Sequence, residues 1–155
     1  MSVPVCVDRP LRVPVHRRPL PLLAVAAGHV IGRLPPRRIR SVLTAFARGA
    51  RPAGYAEASR ARRTVTSVSV RCAGEGCLPR SIATALLCRV HGSWPTWYAG
   101  VRTLPFQAHA WVEAENRPVD EPLSTAQMQP LVAVPPGRGP SPSDRPSSSD
   151  RAEGP

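Results

Sequence analysis

The chain reads as an α+β domain in which N-terminal helices are followed by a small antiparallel sheet, and three observations predict it. Apolar residues recur at three- and four-residue spacing through the first half of the chain. Segments of period-two alternation come after them. Proline and glycine fall between the segments. Runs of helix pattern followed by runs of strand pattern point to α+β. At 155 residues the length suits one domain. The 20 Pro crowd both ends, so the core-forming part is shorter than the chain. Residues 1–19 read as a Pro/Arg-rich N-terminal arm, 20–134 as the folded domain and 135–155 as a disordered tail.

The elements follow in order. The arm carries Pro4, Pro10, Pro14 and Pro19 among alternating valines and reads as an extended, edge-strand or docking segment. Leu20 to Arg33 predicts a short helix after Pro21. The next helix starts at Pro35-Pro36 and stops at Gly49. Ile39, Val42, Leu43, Phe46 and Ala47 form one apolar stripe on it, while Arg37, Arg38, Arg40 and Arg48 lie off that stripe on a solvated face. Tyr55 to about Val70 starts as a helix. Its later part, Thr64 to Val70, alternates β-branched residues, and helix or strand stays open there. Gly74 and Gly76 make a tight connection. From Cys77 to Val90, Leu78, Ile82 and Leu86 recur at every fourth position and predict a largely buried helix ended by Gly92. Pro79 is tolerated in its first turn, where no intrahelical donor is lost. Two strands are predicted at Tyr98–Thr103 and Ala108–Ala114. A polar turn at Glu115-Asn116 leads to a third near Arg117. The Pro, Ser and Gly of 135–155 cannot bury apolar area. No internal repeat is visible.

Lys and Arg number 21 against 10 Asp and Glu, a net charge of +11. Such a charge attracts polyanions without choosing among them. The cations form no dense stripe with interleaved aromatics, so nucleic-acid recognition is not expected. The four cysteines, Cys6, Cys72, Cys77 and Cys88, are not spaced as a disulfide framework. The apolar stretch Leu20–Ile31 is broken by Pro21, Gly28 and His29 and falls short of the roughly 20 residues of a transmembrane segment. No secretory signal is read at the start. A cytoplasmic protein with free thiols is the expectation.

Two residues stand out chemically. Cys77 follows Gly76 at a helix start, where the peptide dipoles stabilise an anion and favour a thiolate. His109 lies in Gln107-Ala108-His109-Ala110-Trp111-Val112-Glu113, where alternation puts His109, Trp111 and Glu113 on one face. Either residue in isolation is more often structural than reactive. Hairpin geometry supplies a third candidate. A turn centred on Glu115-Asn116 places position 122 or a neighbour across from His109. Asp120 and Glu121 occupy that neighbourhood, and a carboxylate there can orient an imidazole. A one-residue change in register swaps the two, so both remain candidates. A zinc site built from Cys72, Cys77, Cys88, His91 and His109 is disfavoured. A helix from Cys77 separates Cys88 and His91 from its start by about 16 Å.

The run Arg71-Cys72-Ala73-Gly74-Glu75-Gly76-Cys77-Leu78-Pro79-Arg80-Ser81, the run Gly100-Val101-Arg102 and the run from Pro105 to Glu113 resemble the leader peptidases of lasso-peptide biosynthesis. The likeness is to their short, split form, which lacks its own leader-recognition domain. It covers most of residues 10–134 and is densest over 71–122. The resemblance implies a papain/transglutaminase-like fold, a transglutaminase-like cysteine protease domain over 20–134, and a Cys–His–acid triad. Cys77 matches the nucleophile and His109 the base. The family's acid follows the His by about twelve positions, which points to Glu121, with Asp120 one position earlier. The implied partners are the precursor peptide, a separate leader-recognition protein and the asparagine-synthetase-like, ATP-dependent cyclase. No cofactor or metal is implied. Two other readings share the fold: a non-catalytic binding subunit, and acyl transfer to an amine as transglutaminases perform it.

Overall fold

A computed structural model describes residues 13–74, 76–121 and 127–137. Most of the predicted arm (1–12) and most of the predicted tail (138–155) lie outside these residues. A 3₁₀ turn, Val15–Arg17, opens the described chain. Helix α1, Pro19–Ile31, begins just before the predicted segment. Its Pro19 and Pro21 sit among the first residues, where a missing N–H breaks no bond. Helix α2, Pro36–Ala47, buries Ile39, Leu43 and Ala47. Phe46 of the predicted stripe stays 45% exposed, so the buried face is the narrower row at every fourth position.

Helix α3 spans Tyr55–Val68, so of the segment left open, Thr64 to Val70, all but the last two residues are helical in it. Its hydroxyls find partners in the preceding turn. Thr64 Oγ1 donates to Arg60 O at 2.9 Å, Thr66 Oγ1 to Arg63 O at 3.0 Å and Ser67 Oγ to Arg63 O at 2.6 Å. Val65 is fully buried and holds that end of the helix in the core. Tertiary packing has overridden β-propensity here. Ser69 caps the short α4, Val70–Ala73, by accepting from Cys72 N–H at 3.3 Å.

Helix α5, Cys77–Val90, is the centre of the molecule, with every residue from Arg80 to Cys88 buried. It packs against α1 and α3 and against the sheet. Gly49 (φ 69°) and Gly92 (φ 78°) follow the ends of α2 and α5 in the left-handed conformation that a helix stop favours. Two short strands, β1 (Arg51–Pro52) and β2 (Ser93–Trp94), pair in parallel and join the chain entering α3 to the chain leaving α5.

The main sheet has the order β5-β4-β3-β6 and is antiparallel throughout. β3 (Thr96–Thr103) and β4 (Phe106–Ala114) extend the two predicted strands. Glu115 and Asn116 both have positive φ, 54° and 59°, the geometry of a two-residue hairpin turn. β5, the predicted third strand, is only Arg117–Pro118. β6, Gln129–Val134, was not predicted. It lies at the sheet edge, where a residue such as Pro130, with no N–H to donate to a ladder, is tolerated. Trp97 is buried between sheet and α5 and donates to Ser81 Oγ at 3.0 Å, while Trp94 donates to Val134 O at 3.1 Å. The segment 135–137, predicted as the start of the tail, continues the fold: Gly137 N–H donates to Ala47 O at the end of α2, 2.9 Å away. Among the described residues no helix is long and apolar enough to cross a membrane.

Candidate active site

Cys77 is the first residue of α5, half-buried, with Gly76 before it. The His109 imidazole and the backbone amide of Ala110 act on its thiol as hydrogen-bonding groups that favour the thiolate. Sheet geometry explains that amide. Val119 N–H donates to Val112 O at 3.0 Å, so the main-chain groups of even-numbered β4 residues turn toward β5. β5 pairs only with Glu113 and Ala114. At Ala110 the same edge has no strand beside it among the described residues, and the N–H there meets the thiol. Burial alone would raise the Cys77 pKa. The hydrogen bonds from His109 and Ala110 and the charges of His109 and Arg80 outweigh it and hold the thiol below its usual range.

His109 lies opposite Gly100 on β3. Its Nε2 is 2.9 Å from Glu121 Oε2. Burial would lower the imidazole pKa. Hydrogen bonds to Cys77 and Glu121, with the charges of both, overcome that and push it up to about 9. On the same face Trp111 stacks against His109 with ring centroids 6.0 Å apart, and Tyr98 stacks on Trp111 at 5.4 Å. Trp111 Nε1 donates to Glu113 Oε1 at 3.0 Å, so the predicted face of His109, Trp111 and Glu113 is bound together.

The two acidic candidates occupy different environments. The hairpin register pairs Glu113 with Pro118 and Ala114 with Arg117, then breaks at Asp120, whose φ is 49°. Asp120 faces α3, not His109. Its Oδ2 accepts from Ser59 Oγ at 2.6 Å and its Oδ1 from the Tyr55 hydroxyl at 3.3 Å. The turn so anchored brings the next side chain, Glu121, back to His109. Glu121 is almost wholly buried, with its side chain 3% exposed. Its Oε1 is 3.4 Å from Arg62 Nη2 and 3.8 Å from Arg80 Nη2. Burial would raise its pKa, but the hydrogen bond to His109 and the charges of Arg62, His109 and Arg80 bring it below the usual carboxylate range.

The other described cysteines differ from Cys77. Burial raises the Cys72 thiol, against Ser69 and Arg80. Burial and the Glu57 charge push the Cys88 thiol up to about 12, against Arg51. Cys88 and His91 lie at the far end of α5 and line a cavity of about 1040 Å³ with residues such as His16, Arg60 and Arg63. None of the four candidate residues lines it. Among the described residues no group of three or more His, Cys, Asp or Glu is placed to hold a metal ion.

Sequence reasoning missed Arg62, Arg80 and the Ala110 amide. Arg80 carried a signal, a cation in the first turn of a helix, where the dipole disfavours it. Arg62 carried none, being one of many arginines on a basic helix.

A half-buried thiol at a helix start, an imidazole bonded to it and a buried carboxylate behind that imidazole can hold a thiolate–imidazolium pair. Such a pair is the basis of cysteine-centred acyl chemistry. Residues 22–133 match the family model described as Transglutaminase-like superfamily, and the chain belongs to that superfamily. Members of this fold are typically cysteine-based enzymes. Searches of curated proteins and of solved structures returned no match.

Proposed function

We propose that this protein is a cysteine peptidase that removes the leader from a ribosomally made lasso-peptide precursor. The observation that carries the chemistry is the 2.9 Å contact of His109 Nε2 with the buried Glu121, on an imidazole that also acts to favour the Cys77 thiolate. The likeness of residues 71–81, 100–102 and 105–113 to the leader peptidases carries the substrate class. The Cys77 thiolate attacks the carbonyl at the leader–core junction. The oxyanion that forms is met by the Cys77 N–H at the start of α5, where the helix dipole adds to it. His109, as imidazolium, gives its proton to the leaving amine and then takes one from the water that releases the acyl-enzyme. Glu121 keeps the imidazole oriented and its charge balanced, and Asp120 serves by turning the chain. The partners of this reading are the precursor, a separate leader-recognition protein and the ATP-dependent cyclase that consumes the freed core, in the cytoplasm.

The test combines purified protein, a candidate precursor and the leader-recognition protein, with fragment masses read over time. Cys77→Ala should abolish cleavage, a loss of at least about 10³-fold, while the chain stays folded. Cleavage that survives this change sinks the assignment. An added amine appearing in the product mass would favour acyl transfer over hydrolysis.

A further inference from the structure

Arg80 is the fourth residue of α5 and only 9% exposed, a buried cation at the helix end that disfavours cations. A buried guanidinium persists only where its donors are met. Arg80 Nη1 donates to Cys72 O and to Gly74 O, both at 3.1 Å. Those carbonyls belong to the end of α4 and the turn that delivers the chain to Cys77. Arg80 Nη2 lies 3.8 Å from Glu121 Oε1. The two carboxylate oxygens are divided: Oε2 goes to His109, and Oε1 faces Arg62 and Arg80.

We propose that Arg80 is a positioning residue of the site: one planar fork ties the turn before the nucleophile to the carboxylate behind the base. Arg62, from α3, also reaches Glu121. Arg80 touches both sides. It thereby fixes the start of α5 relative to His109, which lies on a strand some thirty positions later in the chain. This inference rests on the catalytic reading above and adds to it a residue that need not touch substrate.

His109 and Arg80 act on Cys77, and His109, Arg62 and Arg80 act on Glu121. Removing the Arg80 charge therefore leaves the thiolate with His109 as its main cationic partner. The experiment is the pH dependence of iodoacetamide alkylation at Cys77, located by fragment mass, in wild type, Arg80→Gln and Arg80→Lys. Arg80→Gln should move the acid limb up by about one pH unit and lower the plateau rate. Arg80→Lys keeps the charge but loses the fork. It should leave the acid limb near wild type and lower the plateau about threefold or more. A purely structural role would slow both variants without separating their limbs. Coincident limbs in Arg80→Gln and wild type overturn the proposal. If Arg80→Gln does not fold, Arg80→Lys decides: a plateau equal to wild type overturns it. A wild-type Cys77 that titrates like an ordinary thiol would overturn the catalytic reading itself, and this proposal with it.

Discussion

Two groups, Cys77 and Glu121, each favour the proton on His109. Its own titration is therefore the most direct residue-level readout of the site. An NMR titration of the His109 ring should give a midpoint near 9. Cys77→Ala and Glu121→Gln should each bring it down toward the ordinary value of 6.5, because each removes a hydrogen bond and a charge. Asp120→Asn should move it much less, since Asp120 bonds to Tyr55 and Ser59. A wild-type midpoint near 6.5 would mean that the three groups do not act together. Local pattern, a helix start after glycine and a period of two, singled out Cys77 and His109 without choosing between a structural and a reactive role for either. The choice between Asp120 and Glu121 was not legible there. It turns on the left-handed backbone at Asp120, which alternation does not encode, and on hydroxyls of α3 some sixty positions away.

Among the elements, the helices were legible because their stripes repeat over three turns or more. The end of α3 was ambiguous because Thr and Val suit a strand locally, and only burial of Val65 and bonding within the helix decide the matter. β6 escaped because it is an edge strand whose pairing partner, β3, lies some thirty positions earlier. The contact between α1 and α5 is close at one point. A Cβ placed on Gly28 would lie 2.6 Å from Pro79 O and 3.4 Å from the Ala83 side chain. Helix propensity alone says that Gly28→Ala stabilises by about 1 kcal/mol. The contact reverses that sign, because a backbone oxygen has no rotamer through which to yield. Gly28→Ala should destabilise by roughly 1–3 kcal/mol, read as a lower urea midpoint. It should also slow Cys77 chemistry, since Pro79 is two residues from the thiol. A raised midpoint would show that α1 does not press on the start of α5.

For the molecule as a whole, ionisation at the site enters the pH dependence of stability. Glu121 has a folded pKa below its ordinary 4.5, so its contribution is present above about that pH and is lost as the pH falls through the lower, folded value. Glu57, held down by Ser93 and Arg51 against its burial, acts in the same direction. His109 has the opposite sign: its contribution is whole below 6.5 and is lost as the pH rises through about 9. Urea midpoints from acid to neutral pH should therefore rise with pH in the wild type and rise less steeply in Glu121→Gln. At neutral pH that variant should be less stable by about 3 kcal/mol, with two buried arginines left facing a neutral amide. Equal slopes would remove Glu121 from the account. The excess of arginine, so prominent in composition, told little in advance about where the two that matter would lie. The stitching of β1 to β2 has a mechanical consequence. Arg51 N–H bonds to Gly92 O, Ala53 N–H to Trp94 O and Ser93 Oγ to Glu57, so the tail of α5 is moored while its head carries the thiol. Across 14 residues, a span of about 20 Å, a swing of only about 3° about that mooring displaces the sulfur by about 1 Å. Since an error of that size can cost on the order of 100-fold in rate, the angular tolerance of this rod is set at the end where no chemistry occurs.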